Sequence, residues 1–454
     1  MKKNYLFLIF IVLFFFLTII LFEYLITPRN ESINKPTKNN PVINTPEQFG
    51  ANGYDEKPDT KALQEAIDKS DILLLKSGAT YIIDEPLVSN HTIEIKSDNQ
   101  TKTPPIILQS SMDSAFVFEN KPKFSTKVSE PIYQKDTFVV LNNTKGISPG
   151  DLIHLKSSTL WPDDNRGYLK KGELQKVLKV EGNKVYFERP MADEYKIDKT
   201  EQITAKVYPK LTLKLSNITF SHPEPYNTVM IDINYASDSI IKNLFVRNSK
   251  HTGIILNNTY NTKVSKVNIN LGTTKDINTG YGIMDYGGTG TLVTESKFIN
   301  VRRGVDFSGG TPSRYGKVTD SRAVGFKPDT LAGGNSGFGT HSTAEYISFE
   351  NNTIENFNYA FLVRGNNVSI IGNSVEGSTR NFIYLSFGDN IKLENNTYDN
   401  KGVNSLNSFI MLSPTYKGSI IAKKNTILGL KGPLINGDLG MLNSLSLSGN
   451  IVKP

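Results

Sequence analysis

His341 closes the short segment Gly337-Phe338-Gly339-Thr340-His341, and it is one of five histidines in a chain of 454 residues. An imidazole at the end of an exposed strand is a candidate general base. Four more segments have the same form, at 253–257, 282–286, 304–308 and 360–364, with later copies at 382–386 and 409–413. Side chains alternate between the two faces of a strand. The apolar second position (Ile254, Ile283, Val305, Phe338, Phe361) therefore faces inward. The third position then faces outward and reads Ile255, Met284, Asp306, Gly339, Leu362, and the fifth reads Asn257, Tyr286, Ser308, His341, Arg364. In strands stacked roughly 4.8 Å apart, His341 and Arg364 are neighbours. Asp306 lies diagonally one coil earlier, and Tyr286 two coils before His341. Asp285 falls in an inward column, where an unpaired carboxylate is costly, so a bulge or slipped register is expected there.

This set suits removal of the proton beside the carboxylate of a uronic acid. Such a reaction needs a base, for which His341 or a deprotonated Tyr286 is available. It needs a cation over the substrate carboxylate, for which Arg364, Arg303 or Lys327 could serve. It also needs a proton for the leaving oxygen. Cleavage by a lyase and inversion by a C5-epimerase share these needs. A glycoside hydrolase instead requires two carboxylates across the bond, and only Asp306 with Asp285 or Glu345 offers them. Trp161, the single tryptophan, sits among polar residues and is a candidate to stack on a sugar ring. The competing reading is a binding surface or adhesin without chemistry, since any soluble scaffold presents polar side chains outward. There are no cysteines, which excludes disulfides and thiolate chemistry. No Asp-x-Asp loop marks a metal site in the coils, and calcium is left open as a cofactor.

The scaffold for these residues is read from repetition. Segments 347–354, 368–375, 391–398, 420–427 and 445–452 each carry an Asn two places before their last apolar residue. These are Asn352, Asn373, Asn396, Asn425 and Asn450, spaced within the range of stacked structural repeats. Short alternating strands with Gly and Asn turns select a β-solenoid. Asn accepts the left-handed turn conformation and can hydrogen-bond to its copy in the next coil. The Asn copies are therefore expected to be scaffold.

The rest of the chain divides by composition. Residues 5–26 are apolar apart from Glu23 and follow Lys2-Lys3, which predicts a transmembrane signal anchor at 1–27 with the remainder outside the cell. A polar linker is expected at 28–44. The span 45–129 reads as a cap with the first coils: Asp59 or Thr60 caps a helix that buries Ala62, Leu63, Ala66 and Ile67, and strands follow. The repeat lapses at 130–208, where a small β-rich insertion with a turn at Glu181-Gly182-Asn183 is expected. The coils occupy 209–454. Lys and Arg (51) exceed Asp and Glu (44) by 7, with no dense basic run. Nucleic acid is a poor partner for such a chain, whereas an acidic polysaccharide is compatible.

Particular stretches carry a resemblance. "FGANGYDEKPDTKALQEAI" resembles the opening of the pectate-lyase-like β-helix superfamily, which includes phage tailspikes. The resemblance implies an all-β fold: a right-handed parallel β-helix closed by an N-terminal capping helix. "GFGTHSTAEYISFENNTIENFNYAF" resembles the Tyr-Gly-Phe-Asp-Pro-His segment of mannuronan C5-epimerases and the Asp-Thr-His segment of phage-type depolymerases. This implies a catalytic role for His341, but Gly339 stands where the family has Asp, and Arg303 where a His often precedes it. Polygalacturonase motifs are absent from the coils. Whether the molecule is a monomer or a trimer is not legible in the sequence.

Overall fold

The computed structural model describes residues 40–161, 167–272, 279–325, 335–377, 380–400 and 407–454. The expected membrane segment at 1–27 and Lys327 lie outside these residues. Among the described residues no helix is long and apolar enough to cross a membrane. The chain divides into units 1–41 and 42–454.

The second unit winds as a right-handed parallel β-helix. An eleven-stranded parallel sheet takes one strand from each coil, among them Tyr281–Tyr286, Arg303–Ser308, Ser336–Thr340, Tyr359–Val363 and Asn381–Leu385. A 24-stranded sheet forms the remaining walls. The register of the first sheet follows the alternation of the sequence. Ile255, Met284, Asp306, Gly339 and Leu362 are in line, as are Asn257, Tyr286 and Ser308. Inside, Phe298, Phe338, Phe349, Phe361, Phe382 and Phe409 pack ring against ring with centroids 4.6 to 6.4 Å apart.

The expected bulge at Asp285 does not occur. Asp285 is aligned with Leu256 and Phe307 and is fully buried. One of its carboxyl oxygens, Oδ1, accepts from Ser313 Oγ of the next coil at 2.7 Å and from the Gly288 amide of the turn at 3.0 Å. Burial pushes its pKa up, toward the neutral acid. A Cβ at Gly288 would lie 2.6 Å from this carboxyl, so the turn needs glycine for close approach.

The asparagines divide their two expected tasks between adjacent residues. Asn352, Asn373, Asn396 and Asn425 form a buried ladder that ends on Asn450, each of the four amides donating to the next Asn Oδ1 at 2.9 to 3.0 Å. Each Nδ2 also reaches a main-chain carbonyl of the preceding coil. The left-handed turn residue is the one just before: Asn351, Gly372, Asn395, Lys424 and Gly449. Ser321 and Ser296 continue the ladder upstream with hydroxyls in place of amides.

Helix Thr60–Asp68 closes the N-terminal end and buries Leu63, Ala66 and Ile67. Asp59 stands at its N-cap, yet its carboxylate accepts the Asn52 amide at 2.7 Å instead of capping the helix. Between Phe124 and Tyr208 the chain leaves the coils and forms a six-stranded antiparallel sheet with its own core around Val139, Ile153, Val177 and Phe187. Strands Lys170–Glu181 and Lys184–Phe187 are joined by the Gly182-Asn183 turn. Arg314 ties this sheet to the coils. It donates to the Gly172 carbonyl at 2.8 Å, Asp193 at 2.6 Å and Glu345 at 2.9 Å.

The ladder carries a testable cost. Asn396→Ala removes bonds on both sides and strands buried partners, so it should cost roughly 2–4 kcal/mol. Ser374→Ala, on the partly exposed strand beside it, should cost less than about 0.5 kcal/mol. Urea unfolding of both variants checks this, and equal losses would deny the ladder a stabilising role.

Candidate active site

Three side chains from two consecutive coils meet on the outer face of the eleven-stranded sheet. Asp306 is fully buried at its centre. Arg303, three residues earlier on the same strand, is ion-paired with Asp306 Oδ1 and is itself 3% exposed. His341 Nδ1 lies 2.7 Å from Asp306 Oδ2. A carboxylate only accepts, so Nδ1 carries the proton and Nε2 is left as the basic nitrogen. The Arg303 guanidinium also approaches Nδ1, at 3.5 Å, close enough to act on it electrostatically.

The backbone fixes this placement. The His341 amide donates to the Phe307 carbonyl at 2.7 Å, which sets His341 beside Ser308. The Arg364 amide donates to Thr340 Oγ1 at 2.9 Å, so a hydroxyl replaces the usual ladder carbonyl at the strand end. Arg364 is half-buried, and its charge acts on both His341 and Tyr384.

Burial lowers the pKa of His341, and the charges of Arg303 and Arg364 add to that; Asp306 opposes them. Burial also works against the Asp306 anion, but His341 and Arg303 outweigh it and hold the carboxyl well below the usual range. The pair at neutral pH is thus a carboxylate and a neutral, oriented imidazole whose remaining lone pair can take a proton. His341 has an 18% exposed side chain, enough for a ligand to reach it.

The other expected residues separate from this centre. Tyr286 is exposed (38%) on the same face, two coils away. Arg303, expected to contact substrate, is instead sequestered behind Asp306. Asp285 faces the interior and cannot reach a polymer on the outer face. Glu345 turns into the Arg314 cluster, 12% exposed, so neither partner for a two-carboxylate site stands beside Asp306. Trp161 is 2% exposed and packs inside, which rules out stacking on a sugar there. Among the described residues no group of three His, Asp or Glu side chains is placed to hold a metal ion.

A third outward column was missed because each strand was read as starting at its small residue. The residue before it aligns across coils as Tyr281, Arg303, Ser336, Tyr359 and Asn381. The Arg302 and Arg303 guanidiniums lie 4.7 and 5.8 Å from the Tyr281 ring centre. Tyr359 stacks on Tyr384 at 5.3 Å, and Tyr384 stays partly exposed beyond Arg364. The tyrosines at 281 and 359, each just before a small residue, were the available signal.

No protein-family model matches the chain, and no curated protein matches it in sequence. Solved structures match in shape. The tailspike gp61 of Pseudomonas phage phi297 superimposes with a TM-score of 0.68 at 15% identity, over 91% of this chain and 75% of that one. The gp54 tailspike of Acinetobacter baumannii bacteriophage AP22, solved with a capsular saccharide, gives 0.63 at 16%, over 87% and 67%. The Azotobacter vinelandii mannuronan C-5 epimerase AlgE6 A-module gives 0.52 at 12%, over 90% and 99%. At these identities the likeness is one of fold, and the shared fold is the parallel β-helix.

Two measurements test the site. In a nitrogen-15 NMR titration, His341 should carry its proton on Nδ1 and titrate below the ordinary histidine value of about 6.5; a midpoint above it would contradict the site. Protein stability should also fall on acidification. The unfolded chain takes up the His341 proton near pH 6.5 and the Asp306 proton near pH 4, whereas the folded state resists both to lower pH. Their contribution is complete above about pH 7 and is lost stepwise below it. Denaturant midpoints from pH 8 to 4 check this, and they should fall less in His341→Gln.

Proposed function

We propose that the protein modifies an acidic polysaccharide by abstracting the proton at C5 of a uronic acid, most simply as a lyase. The observation that carries this is the Asp306–His341 contact on the outer face, with Arg364 alongside. In the proposed reaction His341 Nε2 takes the C5 proton while Asp306 holds the imidazole and stabilises its charge. Arg364 balances the substrate carboxylate and the enolate that forms as the proton leaves. The C5 electron pair then closes a C4–C5 double bond, the C4–O bond breaks, and the leaving oxygen takes a proton from imidazolium or water.

Three points support the reading. Asp306 is in register with Gly339, and a Cβ at Gly339 would lie 3.6 Å from Asp306 Oδ1. The carboxylate that the epimerase resemblance puts at 339 can thus come from the preceding coil. Among the described residues no second carboxylate stands beside Asp306, which favours proton abstraction over hydrolysis. Proteins that share the fold act on or bind polysaccharides by their names: an epimerase of mannuronan, and a tailspike holding a capsular saccharide. Epimerisation differs only in returning a proton to the opposite face of C5. The apolar segment at 5–26 extends the proposal to a cell-surface location.

The test is incubation with alginate, pectate, hyaluronate and teichuronic-type polymers. Ultraviolet-absorbing unsaturated ends are expected from one of them, and proton exchange at C5 without cleavage would indicate the epimerase. His341→Ala should lower turnover about 10²- to 10⁴-fold with binding retained. Binding of a polymer with no chemistry, unchanged by His341→Ala, would make the protein a binding scaffold.

A further inference from the structure

The geometry points to a second carbohydrate site, one that binds anionic oligosaccharides without reacting with them, in a groove across the turns of the early coils. The groove holds about 380 Å³, within the usual span of small-ligand sites. It belongs to the 24-stranded sheet, whereas His341 follows a strand of the eleven-stranded one.

Its spine is an exterior asparagine ladder. Asn99, Asn217 and Asn243 occupy the same left-handed turn in successive coils, with φ of 56°, 58° and 52°. Asn243 donates to Asn217 Oδ1 at 2.9 Å, and Asn217 donates to Asn99 Oδ1 at 3.1 Å. The ladder fixes the amides and leaves a donor at Asn99 and an acceptor at Asn243. Sugar hydroxyls, which both donate and accept, suit that pair.

Turn closure alone would explain these amides, as it does for the buried ladder. It does not explain the rest of the lining. Phe245 is half-buried in the groove and lines it with apolar ring atoms suited to the C–H face of a sugar ring, with the Arg247 guanidinium 5.9 Å from its ring centre. Lys102 and Lys266 also line it, and Lys242 is exposed on the strand entering the Asn243 turn. Lys266 faces Glu295 at 3.4 Å in an exposed pair. Lys102 and Lys242 have no ion pair among the described residues, so their charge is available to a carboxylate or sulfate on the ligand. The ligand class is read from these lysines and is independent of the reaction proposed at His341.

Calorimetric titration of full-length His341→Ala protein with trigalacturonate and trimannuronate, against uncharged maltotriose, tests the site. A uronate trimer should bind in preference to maltotriose. Adding Lys102→Ala and Lys266→Ala should weaken that binding at least tenfold, and adding Phe245→Ala should also weaken it, with circular dichroism unchanged. Equal affinity in the lysine variant, or no binding of either uronate, overturns the proposal. The same lysine substitutions in the otherwise native protein should leave turnover at His341 intact. Lost turnover with an intact fold would show that the groove belongs to the reacting site and would also overturn it.

Discussion

Parallel in-register stacking is the constraint on which the molecule depends. Each coil places its strand one hydrogen-bond spacing from the last, so equivalent positions line up in columns along the molecule. Inside, the columns are aromatic rings and the Asn352–Asn450 amides; outside, they are whatever the surface needs. Asp306 and His341 come within 2.7 Å because two such columns run side by side, one coil apart. No loop has to fold back to assemble the pair. The buried Arg303–Asp306 ion pair then does what isolated buried charges cannot. Each partner neutralises the other, and together they orient the imidazole.

Much of this arrangement was legible in the alternation of apolar residues. The inward Ile, Val and Phe positions set the register of the outward columns, and the outward columns contain Asp306 and His341. What the alternation could not show was where long side chains turn. Arg303 was expected over a substrate and lies behind Asp306, because an arginine at a strand start can curl along its own strand. Glu345 was expected near the chemistry and is held by Arg314, its register partner in the preceding coil, whose side-chain direction the alternation does not reveal. Trp161 lies in the insertion, whose packing has no repeat to read.

Asp285 shows the opposite failure. The alternation places it inward, while the cost of a buried carboxylate argues against that position. The Gly288 amide and the Ser313 hydroxyl of the next coil supply donors to one of its oxygens, and such donors have no periodic signature in sequence. The two tasks of asparagine separate in the same manner. Composition identifies Asn as a turn and ladder residue, and only the φ angles assign the turn to one residue and the ladder to its neighbour.

The three-way grip of Arg314 joins the antiparallel insertion to the strand that begins just beyond His341, since Glu345 is four residues from it. The insertion is therefore a lever on the site as well as a wall beside it. A rearrangement at Asp193 or Gly172 can be transmitted through one guanidinium to the turn that carries the imidazole. Exchange of this insertion for another sequence, by recombination or by design, would be viable only when the incoming piece offers Arg314 an equivalent carboxylate and carbonyl. That requirement makes the junction the conservative part of a module that is otherwise free to vary.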